Sequence, residues 1–200
     1  MKPRQNSNHP PIGASIAAEP ITDINAIATI KQRLAAHPRD LALFTLGINT
    51  NLRISDLLRL TIGQVYCLKP GDQITVKQQK RGKYGIRVIN AEAVRALHNW
   101  FDRHPDLDAE SPVFCGKDPS KPITKQYASR LVKRWCRNAG LRGRFSAHTL
   151  RKTFGFHALN TFKQPLHFVQ AAYGHRDSGT TLAYLGIQPQ DISNLFMNEL

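Results

Sequence analysis

The sequence has no long apolar run and few acidic residues. Among its 200 residues there are 14 Asp and Glu against 28 Lys and Arg, which gives a formal net charge of +14 at pH 7. No segment approaches the roughly 18 to 20 consecutive apolar residues that cross a bilayer, and the first residues carry no apolar stretch typical of a secretion signal. We therefore expect a cytoplasmic protein with no membrane partner.

Cysteine is also scarce. The three cysteines, Cys67, Cys115 and Cys136, are far apart and show no metal-ligand spacing, so the sequence favours neither a disulfide framework nor a zinc site. With 41% hydrophobic and 21% charged residues, the composition is that of an ordinary globular protein. The positive charge remains as the distinctive property, and it indicates a polyanionic partner: nucleic acid, an acidic protein or an anionic surface.

The first 20 residues differ from the rest. They contain Pro3, Pro10, Pro11 and Pro20 and few large apolar side chains, so they cannot bury enough surface to become ordered. We predict that residues 1–20 form a flexible N-terminal tail. Residues 21–200 are long enough for one domain with its own core.

Helical spacing of apolar residues extends over most of the domain. It predicts a helix that begins at Asp23 and ends at Pro38, a second through 41–48 and a third from Ser55 through Ile62. Further helices are predicted over 91–101 and 127–135, and several short ones after Ser146.

A different pattern lies between them. The β-branched runs 74–76 and 86–89 flank a basic segment that contains Gly82 and Gly85, which predicts an antiparallel hairpin with a basic tip. The predicted fold class is α+β, mainly α-helical with one small antiparallel β-sheet.

Four separated segments carry residues suited to phosphate chemistry. They are residues 51–60, which include Arg53 and Asp56, Lys80 in the hairpin, residues 148–154, and residues 173–184. In type, order and spacing they resemble the catalytic domain of the tyrosine recombinase, or phage integrase, family, and the resemblance covers residues 21–200. The resemblance is to short members that lack a core-binding domain, such as the fimbrial-switch invertases.

The chemistry of phosphodiester cleavage explains the cationic residues. Arg53 and Arg151 are planar, permanently charged groups that can each grip non-bridging phosphate oxygens, and they match the two arginines of the family. His148, three residues before Arg151, lies on the same side of a helix and can donate a hydrogen bond to the same phosphate. His175 supplies a second imidazole.

The resemblance implies that Tyr184 is the nucleophile, which forms a 3′-phosphotyrosyl link and leaves a free 5′-hydroxyl. It also implies that Lys80 protonates the leaving 5′-oxygen and that Asp56 is a supporting carboxylate. Religation conserves the bond energy, so we predict no cofactor and no metal.

Each residue also has a structural interpretation. Arg53 and Asp56 can form a local ion pair, the histidines can be satisfied core or surface residues, and Tyr184 can be a core aromatic. Lys80 has basic neighbours in the same hairpin, and a shift of the strand register would put one of them in its place. The segment can also be a solvated basic turn.

Further cationic and polar residues are candidates for DNA contact. On the predicted helix 127–135, basic residues at helical spacing form one cationic face, which suits either a duplex backbone or solvent. The full predicted set is Lys77, Arg81, Lys83, Thr124, Lys125, Gln126, Arg130, Lys133 and Arg134.

The resemblance implies double-stranded DNA as the partner and a tetramer of protomers on two DNA sites. Since there is no room for a core-binding domain before Ile21, we expect a catalytic domain that works with an accessory protein or a core-binding partner. A C-terminal helix over 190–200 carries an apolar stripe, which packs either on its own core or on a neighbouring subunit.

The sequence therefore predicts a site-specific DNA recombinase associated with the nucleoid. Two alternatives stay open. One is strand relaxation of the type IB topoisomerase kind, and the other is a non-catalytic DNA-binding accessory protein or remnant integrase.

Overall fold

The computed structural model describes residues 18–77 and 84–186. Within these ranges the chain forms a mainly helical domain with one two-stranded antiparallel sheet, so the predicted fold class is confirmed. The elements are α1 (Ile24–Leu34), α2 (Pro38–Asn49), α3 (Ile54–Leu57), α4 (Ile62–Val65), β1 (Gln73–Lys77), β2 (Tyr84–Val88), α5 (Ala91–Phe101), α6 (Lys125–Asn138), α7 (Ala147–Asn160), α8 (Leu166–Tyr173) and α9 (Ser178–Leu185).

Helix α2 lies at the centre of the core. It packs against α1, α5 and α7, and Leu43, Phe44 and Leu46 are fully buried. The ring of Trp135 on α6 meets Phe44 edge-on, with 5.9 Å between ring centroids. Because helices contact α2 from several sides, it is apolar around most of its surface.

Polar caps set where most of the longer helices begin. The side chains of Asp23, Asn90, Thr124, Ser146 and Asp177 accept hydrogen bonds from backbone amides in the first turn of α1, α5, α6, α7 and α9. Each cap satisfies an amide that would otherwise lack a partner within its helix.

The predicted single helix from Ser55 through Ile62 is wrong. The chain forms two short helices, α3 and α4, and leaves helical geometry between them. There the Leu60 carbonyl accepts from the Val113 amide at 2.9 Å, and the Ile62 amide donates to the Ser111 carbonyl at 2.9 Å. These long-range backbone bonds replace the helical ones, which apolar periodicity does not reveal.

The boundary near Pro38 also differs from the prediction. Helix α1 ends at Leu34, and Pro38 is the first residue of α2. Proline suits the first helical turn because its missing N–H has no partner there in any case.

The hairpin has a regular register, from Gln73 opposite Val88 to Lys77 opposite Tyr84. Ile74 is buried, whereas Ile86 and Val88 are exposed. Arg87, opposite Ile74, is half-buried. Successive strand residues face opposite sides, so β2 directs a guanidinium toward the protein.

A second, smaller apolar cluster joins α7, α8 and α9. Val169, Tyr173 and Leu185 are buried there. They approach α7 at Gly155, where an added Cβ would overlap both the Tyr173 hydroxyl and the Leu185 side chain. Glycine at this position therefore permits the close contact of the three helices.

Residues 1–17 of the predicted tail and the predicted helix over 190–200 lie outside the described residues. Glu19 is described, and its amide donates to the Arg144 carbonyl at 2.8 Å. Over the described ranges, no helix is long and apolar enough to cross a membrane.

We expect Gly155→Ala to lower the free energy of unfolding by about 1–3 kcal/mol, because the methyl group overpacks the junction of α7, α8 and α9. Gly116→Ala is the matched control, since the nearest atom to its added Cβ is 3.8 Å away. Urea denaturation of both variants checks this. Equal stability of Gly155→Ala and the control would contradict it.

Candidate active site

Arg53 stands at the start of the short helix α3. It occupies the N-cap position with extended backbone, φ −68° and ψ 148°, and its side chain is about one-third exposed. Asn51, two residues earlier, adopts a left-handed φ of 55° and donates from Nδ2 to the Ala172 carbonyl at 2.7 Å. This hydrogen bond fastens the turn before α3 to the end of α8. It thereby fixes the position of the Arg53 backbone, which comes two residues later.

Asp56 is buried below this turn, with 2% of its surface exposed. Its Oδ1 lies 3.0 Å from Arg59 Nη2, whereas its Oδ2 lies 4.0 Å from Arg53 Nη1. The carboxylate therefore pairs more closely with Arg59 than with Arg53. This leaves most of the hydrogen-bonding capacity of the Arg53 guanidinium for another anion.

Arg151 lies in α7 and is 5% exposed. Its Nη2 donates to the Tyr173 carbonyl at 3.3 Å, and its guanidinium lies over the Tyr173 ring, 4.9 Å from the centroid. In return, the Tyr173 hydroxyl donates to the Arg151 carbonyl at 2.7 Å. The two residues hold each other in place at the junction of α7 and α8.

His148 is exposed in the first turn of α7, three residues before Arg151. Partial desolvation and then the positive charges of Arg151, Lys152 and Arg53 lower its pKa. The ring is therefore neutral at neutral pH and has one donor and one acceptor nitrogen.

His175 follows the left-handed Gly174 that ends α8. Its ring stacks on Tyr173 at 5.0 Å with an interplanar angle of 13°, and its Nδ1 is 3.0 Å from the Thr181 hydroxyl. The stack and the hydrogen bond fix the orientation of the imidazole between α8 and α9.

Tyr184 lies on α9, half-buried, with its ring 5.1 Å from that of Tyr173 and 5.5 Å from that of His175. The Lys152 ammonium lies 5.1 Å from the centroid of the Tyr184 ring. Burial raises the pKa of Tyr184, while the charges of Arg151 and Arg53 act to lower it. The side chain is therefore a neutral phenol that senses both arginines.

Six predicted site residues thus meet in one region, namely Arg53, Asp56, His148, Arg151, His175 and Tyr184. Lys80, Arg81 and Lys83 lie outside the described residues, as does the side chain of Lys77. The local ion pair considered for Arg53 and Asp56 is present, although the carboxylate is buried. Tyr184 does pack as an aromatic of the smaller cluster.

The cationic face of α6 has the predicted exposure. Arg130, Lys133 and Arg134 are exposed, while Leu131 and Trp135 are buried. Thr124 is the N-cap, and its hydroxyl accepts from the Tyr127 amide at 3.1 Å. The amphipathic helix therefore presents its positive charge to solvent.

Sequence reasoning missed Arg87 and Lys152. Arg87 lines one narrow cleft together with Arg53, Asp56 and Arg151, and Lys152 is buried against Tyr184. One signal was available for Arg87: it is a charged residue between two apolar ones on a strand, so it must face the side opposite to theirs.

This architecture is that of the tyrosine recombinase catalytic domain. The crystal structure of the XerH site-specific recombinase, bound to palindromic difH substrate in a post-cleavage complex, superposes with a TM-score of 0.71 at 23% identity. The match covers 89% of this chain and 51% of that one.

The chain belongs to the phage integrase family, whose model matches residues 18–191. Members of this family cleave and rejoin DNA. The family predicted from the motifs is confirmed.

Two curated relatives match this chain over different shares of their own length. A probable integrase/recombinase, YoeC of Bacillus subtilis, is 30% identical over 84% of this chain and 90% of its own length. Tyrosine recombinase XerC of Haemophilus ducreyi is 26% identical over 79% of this chain and 51% of its own length. The chain thus spans about half the length of that XerC.

We expect the pKa of His148 to lie below the usual value of about 6.5 and to rise in Lys152→Met, because one neighbouring positive charge is removed. NMR titration of the His148 Cε1 proton measures both values. His148→Gln identifies the resonance, and an unchanged pKa in Lys152→Met would contradict the electrostatic origin.

The same shift links stability to pH. The unfolded chain binds a proton at this ring more readily than the folded chain does. The stabilising contribution of neutral His148 is therefore present above the unfolded pKa and lost as the pH falls through the folded one. Melting temperature measured against pH should fall less steeply for His148→Gln below about pH 6.5.

Proposed function

We propose that this protein is a site-specific DNA recombinase that cuts and rejoins DNA strands through Tyr184. The observation that carries the proposal is the position of the Tyr184 phenol, held on Tyr173 and His175 within reach of the charges of Arg53 and Arg151. A phenol beside one imidazole and near two guanidiniums, with a second imidazole near the same guanidiniums, suits attack on an anionic phosphodiester.

In the first step the Tyr184 oxygen attacks the scissile phosphorus. A bond forms between phenolic oxygen and phosphorus, and the bond from phosphorus to the 5′-oxygen breaks. Negative charge grows on the non-bridging oxygens, where Arg53 and Arg151 donate to it. The product is a 3′-phosphotyrosyl link and a 5′-hydroxyl.

Two protons move in this step. The phenol is neutral at neutral pH, so its proton passes to a base, and the unprotonated nitrogen of neutral His148 can accept it while the other ring nitrogen donates to the phosphate. The leaving 5′-oxygen takes a proton from Lys80, the hairpin lysine assigned by family resemblance. No metal or cofactor is required by this balance.

The remaining site residues hold the reacting groups. Asp56 orients Arg53 and Arg59 from below. His175, fixed by Thr181 and the Tyr173 ring, donates to the phosphate from its other nitrogen. The 5′-hydroxyl of another strand then attacks the phosphotyrosyl link, which rejoins the DNA and releases Tyr184. Because the strands are exchanged one pair at a time, the reaction passes through a Holliday junction.

Double-stranded DNA is the proposed partner, in line with the family and with the structure of XerH bound to its difH substrate. The basic hairpin residues Lys77, Arg81 and Lys83 and the N-terminus and exposed face of α6 supply phosphate contacts. Exchange of two duplexes needs a tetramer on two sites, and an accessory or core-binding partner would close around the DNA. Such a protein would associate with the nucleoid.

Tyr184→Phe should bind DNA as the wild type does but form no covalent adduct, since it lacks only the attacking oxygen. Nicked duplex substrates that trap the cleaved strand, incubated in EDTA and resolved on a denaturing gel, measure the adduct. Tyr66→Phe is the matched control, because Tyr66 is exposed and lies beside Phe101.

An adduct that persists in Tyr184→Phe would contradict the assignment of the nucleophile. A wild-type protein that binds DNA without any adduct would favour the accessory-protein alternative. Relaxation of supercoils by a monomer would favour topoisomerase chemistry.

Removing two charges from α6, in Arg130→Ala combined with Lys133→Ala, should weaken DNA binding similarly for all sequences and lower the slope of log affinity against log salt by about 2. Fluorescence anisotropy at several salt concentrations measures the slope. Arg95→Ala combined with Arg103→Ala, both exposed on or just after α5, removes the same charge elsewhere. Equal slopes for the two double variants would refute a specific role for α6.

A further inference from the structure

Arg87 places a third guanidinium beside the phosphate site. It lies on β2 between exposed Ile86 and Val88 and is half-buried itself. It borders a gap, too narrow to hold a water molecule, that Arg53, Asp56 and Arg151 also line. Neither the family motifs nor the mechanism above assigns a role to this residue.

The contacts of Arg87 are specific. Its Nη2 donates to the Ala172 carbonyl at 3.2 Å and its Nη1 to the Ile86 carbonyl at 2.7 Å. The Ala172 carbonyl also accepts from Asn51 Nδ2, and the neighbouring Tyr173 carbonyl accepts from Arg151. Two carbonyls at the C-terminal end of α8, the negative end of its dipole, therefore fasten the turn before Arg53, the inner face of β2, and Arg151.

Burying the Arg87 guanidinium beside other positive charges lowers the stability of the folded protein. Arg87 Nε is buried and has no hydrogen-bond partner among the described residues, and burial and then the charge of Arg53 lower the Arg87 pKa, with Asp56 opposing. An apolar side chain on the inner face of β2 would pack there without repulsion. A positive charge kept in such a place is useful when an anion binds next to it.

We propose that Arg87 is a positioning residue of the phosphate site: fixed on the Ala172 carbonyl, it holds a third positive charge beside Arg53 and Arg151 and strengthens the binding of the scissile phosphate. We assign its effect to charge and not to direct contact, because one N–H of each Nη already donates to a carbonyl and its Nε is buried. The proposal rests on the proposed function for the identity of the anion, while the charge arrangement itself can be tested without catalysis.

The first experiment measures anion binding. Thermal melting of the full chain is followed against inorganic phosphate, at constant ionic strength, for the wild type, Arg87→Met, Arg87→Lys and the exposed control Arg95→Met. We expect Arg87→Met to bind phosphate about tenfold more weakly, and Arg87→Lys and Arg95→Met to remain within about threefold of the wild type, since both keep a charge at position 87. Equal phosphate affinity of the wild type and Arg87→Met would overturn the proposal.

The second experiment separates charge from simple structural support. Adduct formation is measured in single turnover on a normal nicked duplex and on one with a neutral methylphosphonate at the scissile position. Arg87→Met should be about 10- to 100-fold slower than the wild type on the normal substrate and within about threefold of it on the neutral one. The neutral substrate lacks the ground-state phosphate charge that Arg87 is proposed to help bind.

Equal slowing of Arg87→Met on both substrates would overturn the proposal, because a residue that only supports the fold affects both alike. If Arg87→Met does not fold, Arg87→Lys decides the question. Phosphate affinity of Arg87→Lys near that of the wild type supports the role of charge. Complete loss of phosphate binding by Arg87→Lys refutes it. Failure of the proposed function has a separate signature, which is a wild-type protein that binds phosphate but forms no adduct.

Discussion

Guanidinium groups held close together inside a protein repel one another, and the site described here depends on what offsets that repulsion. Asp56 supplies one buried carboxylate, which pairs most closely with Arg59. For Arg87 and Arg151, the C-terminal carbonyls of α8 serve as acceptors. Because Gly174 ends the helix in a left-handed conformation, its capping amide bonds lie on earlier carbonyls, and those of Ala172 and Tyr173 are available to side chains. A helix terminus thus organises cations without cancelling their charge, which leaves them able to bind an anion.

Tyr173 links this electrostatic arrangement to Tyr184, the proposed nucleophile. Its carbonyl and ring contact the Arg151 guanidinium, its hydroxyl bonds back to α7, and its other neighbours are His175 and Tyr184. This packing needs the absence of a side chain at Gly155. Gly155 on α7 and Tyr173 on α8 therefore set how closely Arg151, a proposed phosphate ligand, and Tyr184 approach each other.

Protonation states in the site follow from the same surroundings. Burial raises the pKa of Tyr184, and desolvation with nearby arginines lowers that of His148. A neutral acid and a neutral base near the same two arginines, Arg53 and Arg151, suit a reaction in which the proton leaves as the oxygen attacks. In the proposed mechanism the positive charge stays on Arg53 and Arg151, the groups that would meet the phosphate.

Much of this protein was determined by its sequence. Helix periodicity, Asp23 at a helix start, and the β-branched runs predicted a mainly helical domain with one hairpin, because these signals are local. The residue types at positions 53, 148, 151, 175 and 184 indicated the family and the chemistry. Tertiary structure alone decided the rest: the break between α3 and α4, made by backbone bonds to residues 111–113, the preference of Asp56 for Arg59, and the role of the α8 terminus as a common acceptor for Asn51, Arg87 and Arg151. Those features join residues up to 121 positions apart, and no local pattern of propensity or spacing records which distant carbonyl a guanidinium will meet.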